Sequence, residues 1–188
     1  MSAIEDRLGH HFANAALLTE ALTHRSAADA RGGQLDSNER LEFLGDRVLG
    51  LVMAEWLIER FPSEREGNLT RRLSSVVASE ALARVGEAMG LGEALRIPPG
   101  EERTGLRARQ TVMADAVEAL LGAIYRDGGL EAARGVIRRH WVALLDADVK
   151  PPVSAKNRLQ EYTLGRGLGL PQYRLVSAAG PSHAPFFV

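Results

Sequence analysis

The chain has 188 residues, room for one full domain and a fragment of a second at about 150 residues per domain. Hydrophobic residues make up 45% and charged residues 25%, which excludes a disordered chain, and the lack of cysteine excludes disulfides and thiolate metal sites and suits a reducing compartment. The net charge of −1 is unevenly spread: Lys156, Arg158, Arg166 and Arg174 against Glu161 give residues 151–188 a formal +3, leaving −4 on residues 1–150. An acidic body with a basic tail is one way to set metal-binding carboxylates beside a polyanion-binding module, although chance produces the same asymmetry.

The N-terminal MSAIEDRLGHHF has no basic region leading into an apolar core, so no secretory signal is expected. The longest apolar stretch, Val48 to Ile58, is broken by Glu55 and too short to span a bilayer, so the expectation is a cytoplasmic protein without a membrane partner. Up to residue 150 the apolar spacing is helical throughout. Leu17, Leu18, Ala21 and Leu22 share a face, and the small, polar segment 27–36 reads as a loop. Asp36, Ser37 and Asn38 offer caps for a helix from about Glu39 to Arg60, closed by Phe61-Pro62. Asn68 or Thr70 can cap the next helix, and Ser79 the one after, which runs to Gly90. Residues 91–108, with Pro98-Pro99-Gly100 and clustered Arg and Glu, read as a loop. A strongly apolar helix is predicted from about Gln110 to Arg126, then Gly128-Gly129, then a last helix over about 130–147. Lys150-Pro151-Pro152 marks a linker. Beyond it, 155–166 is predicted helical, Gln172 to Ser177 alternates as a strand, Gly180-Pro181 turns, and Phe186-Phe187-Val188 begins a second strand. The expected organisation is a helical body over 1–149, a linker over 150–154 and a partial second domain over 155–188.

The chemistry-bearing residues lie on two of these helices. Glu39, Glu42 and Asp46 are spaced i, i+3, i+7 and share a face. Asp115 and Glu118 are one turn apart on a helix that is apolar nearly all round, and so expected to be buried. Buried carboxylates are costly unless paired or metal-bound. One reading pairs them with Arg40, Arg47, Arg71 and Arg72, and for the first helix alone that is the favoured one. The other is a hard-cation site: oxygen ligands without Cys or a matched His pair suit Mg²⁺ or Mn²⁺. His24 has no second His at ligand spacing, and a packing role is expected for it.

The string Asn38-Glu39-Arg40-Leu41-Glu42-Phe43-Leu44-Gly45-Asp46 resembles the signature of the bacterial ribonuclease III family. Ala21-Leu22-Thr23-His24-Arg25-Ser26, Glu66-Gly67-Asn68-Leu69-Thr70 and the run from Ala114 to Ala123 agree with it in order, so the resemblance covers essentially the whole chain. It implies an all-α endonuclease domain, followed by a partial α+β double-stranded RNA-binding domain. The implied activity is metal-dependent cleavage of double-stranded RNA by a homodimer, leaving 5′-phosphate and 3′-hydroxyl ends, in the processing of rRNA and mRNA. Glu42, Asp46, Asp115 and Glu118 match the family's metal-binding catalytic carboxylates. Glu39 matches an acid at the cleft edge, Glu66 one approaching from the partner subunit, and Phe43 an apolar residue packing across the dimer. Arg47 stands where a small Ser is common; it lies about 100° round the helix from Asp46, and no loss of the site is expected from it.

In the tail, Asn157-Arg158-Leu159-Gln160-Glu161-Tyr162 is similar to the first helix of a double-stranded RNA-binding domain, with Gln160 and Glu161 toward the minor groove, and Gly180-Pro181-Ser182-His183 to its first hairpin, with His183 reaching a second minor groove. Such domains read A-form shape and 2′-hydroxyls. The third strand and second helix of that domain do not follow, so residues 153–188 are expected to be loosely ordered and to bind RNA weakly. Arg103, Arg107 and Arg109 are placed to contact phosphates or simply to solvate a loop. Two rivals differ in class: an all-helical nucleoside triphosphate pyrophosphohydrolase, which would not need the tail, and an RNA-binding relative without catalysis, which the four carboxylates oppose.

Overall fold

A computed structural model describes residues 3–29, 37–98, 100–147, 155–173, 178–179 and 186–187. The chain divides into two compact units, Met1–Pro152 and Val153–Val188. In the first, the described elements are helices: α1 (Ala3–Leu8), α2 (Ala15–Ala21), α3 (Arg25–Asp29), α4 (Glu39–Arg60), α5 (Glu66–Val76), α6 (Ser79–Ala88), α7 (Leu91–Ala94) and α8 (Gln110–Ala147), with two 3-10 turns, Glu102–Thr104 and Leu106–Ala108, before α8. None of the described helices is long and apolar enough to cross a membrane.

The bundle is built round the crossing of α4 and α8. Its closest point is glycine against backbone. A Cβ on Gly45 would lie 1.7 Å from the Glu118 carbonyl oxygen, and one on Gly122 would lie 2.1 Å from that of Leu41. Only hydrogen at both positions lets the two main chains touch. Around this point Leu41, Leu49, Val52 and Met53 of α4 and Ala116, Ala119, Leu120 and Ala123 of α8 are fully buried. Burying an aliphatic side chain of the larger kind contributes about 1.5–3 kcal/mol each. Helix α6 packs on the N-terminal half of α8, where Gly86 faces Met113 and Val117. Trp141 is buried in the C-terminal half, its indole N–H donating to the Val76 carbonyl at 2.9 Å.

Gly129, at φ 78° and ψ −174°, divides α8 into two helical halves, at the glycine pair where a break was expected. Just before it, Asp127 accepts the backbone N–H groups of Ala13 and Asn14 and sits 2.9 Å from His10 Nε2, so it holds the loop leading into α2. The second half of α8 is laced to α4 by ion pairs of Arg134 with Glu55, Arg138 with Glu59 and Asp146 with Arg60. Arg72 is buried, paired with Glu64 through two hydrogen bonds and stacked 3.7 Å from the Phe61 ring centroid, which fixes the turn between α4 and α5.

Several expected caps are replaced by others. Asn38 is already helical in backbone and makes no side-chain cap; its backbone N–H donates to the Thr23 carbonyl, a tertiary contact that local reasoning does not reveal. Helix α5 begins at Glu66, before Asn68 and Thr70, because Arg65 is the extended residue that turns the chain. Ser79 lies inside α6, and Ala78 precedes it. Gly90 does take the left-handed conformation beyond α6. The segment 91–108 holds more structure than a loop, with α7 and the two 3-10 turns.

The second unit has α9 (Ala155–Gly165) and a two-residue antiparallel pair, β1 (Ala178–Ala179) with β2 (Phe186–Phe187). Gln172 and Tyr173 are not strand, residues 174–177 lie outside the described residues, and the first described strand therefore begins later than the alternation predicts. Leu159, Tyr162, Leu164, Leu168, Leu170 and Tyr173 are exposed.

Candidate active site

Helical periodicity puts Glu42 one turn before Asp46 on α4, and Asp115 one turn before Glu118 on α8. The glycine crossing then brings the two pairs face to face, because Gly45 rests on the backbone of Glu118 itself. The result is a set of three carboxylates, Glu42, Asp115 and Glu118, each able to offer one oxygen so that all lie within 4.8 Å of one another. All three are half-buried, since they look into the crossing cleft and not into the core.

Crowding of like charge in a partly desolvated place raises carboxylate pKa values. Glu118 is pushed up to about 7, by burial first and then by Glu42 and Asp115, with Arg47 opposing. Glu42 is raised by burial, Asp115 and Glu39, against Arg25. Asp115 is raised by burial, against His24 and Arg25. This donor set fits a hard divalent cation: oxygen ligands alone, close together, with negative charge that the helices do not neutralise.

Asp46 stands outside the trio. Its carboxylate is ion-paired with Arg47, both side chains being well exposed. The 100° between neighbours on a helix does not keep the long Arg47 side chain from pairing with Asp46. The Arg47 guanidinium also lies 5.4 Å from the Phe43 ring centroid, and Phe43 is 70% exposed, pointing away from the core.

A polar cleft of about 250 Å³ opens beside the carboxylates, lined by His24, Arg25, Asn38, Glu39, Arg109, Thr111 and the acids Glu42 and Asp115. Glu39 lies at its rim, accepting from Ser37 Oγ at 3.1 Å with Arg25 4.0 Å away. His24, half-buried and hydrogen-bonded to Ser26, also lines this cleft. Arg109 lines the cleft too, whereas Arg107 donates to the carbonyls of Gly92 and Leu95 and lines a different pocket. Arg103 is exposed on the 3-10 turn. Glu66 is exposed at the start of α5, accepting from Thr70 Oγ1 at 2.8 Å. In the second unit Gln160 is half-buried and Glu161 exposed on α9, and His183 lies outside the described residues.

Sequence reasoning passed over Gly45 and Gly122. Each is a glycine inside a helix, where it costs about 0.5–1 kcal/mol against alanine, and that local inconsistency is the signal of close backbone approach. It also passed over Arg25 and Thr111, for which spacing along the chain offers no signal.

Comparison with known proteins places this geometry in context. A family model described as Ribonuclease-III-like matches residues 14–145. The curated relatives include ribonuclease 3 of Azorhizobium caulinodans, 46% identical over 99% of this chain and 79% of the relative, and that of Caulobacter vibrioides, 45% identical over 98% and 80%. Among solved structures, the nuclease domain of ribonuclease III from Campylobacter jejuni, described for the flexibility of its dimer-forming region, superposes with a TM-score of 0.69 at 32% identity, covering 75% of this chain and 98% of that one. Dicer from Pichia stipitis superposes with a TM-score of 0.57 at 25% identity, covering 91% and 77%.

Proposed function

The chain belongs to the ribonuclease III family, and we propose that it hydrolyses the phosphodiester backbone of double-stranded RNA through Glu42, Asp115 and Glu118, with Asp46 as a fourth oxygen donor. It is an endoribonuclease, metal-dependent and homodimeric like its family, and leaves 5′-phosphate and 3′-hydroxyl ends. The observation that carries the residue assignment is the approach of three carboxylates from two helices to within 4.8 Å.

We assign the cation as Mg²⁺, with Mn²⁺ able to replace it, because the donors are all carboxylate oxygens. When bound, such an ion supplies a nucleophilic water at neutral pH and offsets charge at the departing 3′ oxygen. The protein's own contribution is placement. Glu42 and Asp115 would hold the ion from opposite helices, and Glu118, raised to about 7 without it, would bind as the deprotonated carboxylate. Arg25 and Arg109, on the wall of the same cleft, meet flanking phosphates. Glu39 borders the cleft, Glu66 reaches the partner's cleft, and Phe43 packs across the dimer. Gln160, Glu161 and His183 are proposed to contact the minor groove. Processing of rRNA and mRNA is the proposed cellular role.

Glu118→Gln tests the assignment, because it keeps the shape and removes the charge. Cleavage of labelled duplex RNA should be lost at low millimolar Mg²⁺ while duplex binding and the dimer persist. Near-normal cleavage by this variant would refute the role given to Glu118.

A further inference from the structure

Arginines stand at both ends of the row of carboxylates on α4. At the amino end Arg25 lies 4.0 Å from Glu39, and at the other end Arg47 is paired with Asp46. Between them Glu42 and its companions on α8, Asp115 and Glu118, make no salt bridge among the described residues. Glu39 and Asp46 are seven residues apart, so the two arginines bracket about 10 Å of helix.

The two ends differ in how their cations are held. Arg25 lines the polar cleft together with Arg109, beside Glu42 and Asp115. Arg47 lies on the Glu118 side, close enough that its charge opposes the rise in the Glu118 pKa across the helix crossing. Its guanidinium also sits 5.4 Å from the ring centroid of Phe43. Asp46 is its only salt-bridge partner among the described residues, and the two side chains are 67% and 45% exposed, so a ligand can reach both.

Asp46 cannot serve two cations equally. When a divalent ion takes an Asp46 oxygen, the guanidinium loses its counter-charge and is repelled by the ion at short range. It is then left on the solvent side of α4 with donors and no anion. Guanidinium groups grip phosphate with paired hydrogen bonds, and an RNA strand lying over the carboxylates brings phosphates to either side of them. On the reading of this cleft as a duplex RNA nuclease site with Asp46 among its donors, we propose that Arg47 exchanges Asp46 for a backbone phosphate flanking the scissile one. That phosphate lies on the side away from Arg25 and Arg109. Arg47 is thus a phosphate-binding residue that Asp46 masks in the metal-free protein.

The test compares R47S and R47K with the wild type on labelled duplex RNA. At saturating Mg²⁺ and low salt, R47S should raise KM by about 5- to 20-fold and leave kcat unchanged, the scale of one exposed, charged hydrogen-bonded contact. The advantage of the arginine should shrink by about 3- to 4-fold as salt rises from about 50 to about 200 mM, at a slope of about 0.9 per phosphate contact, the B-form value carried over to RNA. R47K keeps the charge, so it should keep most of the slope, with a KM between the other two because an ammonium lacks the planar fork. Duplex binding is also measured in chelator, where the arginine stays on Asp46, and there R47S should change the dissociation constant by less than about 2-fold. Equal salt slopes of kcat/KM in R47S and the wild type would overturn the proposal. So would a penalty for R47S in chelator as large as the one in Mg²⁺. Failure of the wild type to cut duplex RNA would instead overturn the reading of the cleft.

Discussion

Burial and the neighbouring carboxylates of Glu42 and Asp115 raise Glu118 to about 7 from 4.5, and this ties stability to pH. A carboxyl whose folded pKa lies above its unfolded value favours the fold most when protonated in both states. That contribution is present below pH 4.5 and lost as the pH rises through 7. Metal-free E118Q should therefore melt higher than the wild type at pH 8, with the gap closing near pH 4.5; thermal melts in chelator at both values check it, and a gap independent of pH would contradict the account. Arg47 poses a second question at this scale: if Asp46 is the fourth oxygen donor, as proposed, its ion pair with Arg47 competes with the metal. Both side chains are well exposed, and such pairs are worth about 0.2–1 kcal/mol. R47S should thus lower the Mg²⁺ concentration for half-maximal cleavage by about 2- to 5-fold, read from a metal titration. The Arg47 conformation was not legible in the sequence, because helical angle alone does not limit so long a side chain.

At the scale of the helix, α4 offers an internal control. Gly45 is pressed on the Glu118 carbonyl, whereas a Cβ on Gly50, in the same helix, would meet nothing within 4 Å. Ala at 50 should raise stability by about 0.5–1 kcal/mol, the ordinary gain from replacing a helical glycine. Ala at 45 must push apart a pair of backbones that cannot yield like a side chain. A loss of about 3 kcal/mol or more is therefore expected, together with loss of metal-dependent cleavage. Denaturant melts of the two variants decide the matter; a stable, active G45A would show that the crossing does not set the carboxylate spacing. The extents of α4 and of the two halves of α8 were readable from periodicity and the Gly128-Gly129 pair. The caps were less so, since Asn38 already has helical backbone and its side chain makes no cap.

For the whole molecule, α4 leaves Phe43, Leu51 and Ile58 exposed by 70%, 59% and 61%. An apolar face of this kind, on the helix that carries half of the carboxylates, is suited to the homodimer and links assembly to the site. Phe43→Ala should weaken the dimer by about 30-fold or more, which corresponds to a hot-spot loss of about 2 kcal/mol. Sedimentation over a concentration series measures it, and the helical content of the protomer should not change, because the ring lies outside its core. An unaltered dissociation constant would place the interface elsewhere.

The sequence by itself determined α4, α5, α6 and the two halves of α8, the four carboxylates and the family, because helical periodicity and contiguous motifs are properties of neighbours along the chain; the short α3 and α7, read as loop, it did not. The tertiary structure alone decided that Glu42, Asp115 and Glu118 converge while Asp46 turns to Arg47. It also decided that His24 lines the cleft and that Arg107 is spent on backbone carbonyls. These outcomes depend on how closely two backbones pass and on which distant groups a side chain can reach. Spacing along a sequence carries neither, beyond the faint signal of a glycine where a helix would prefer alanine.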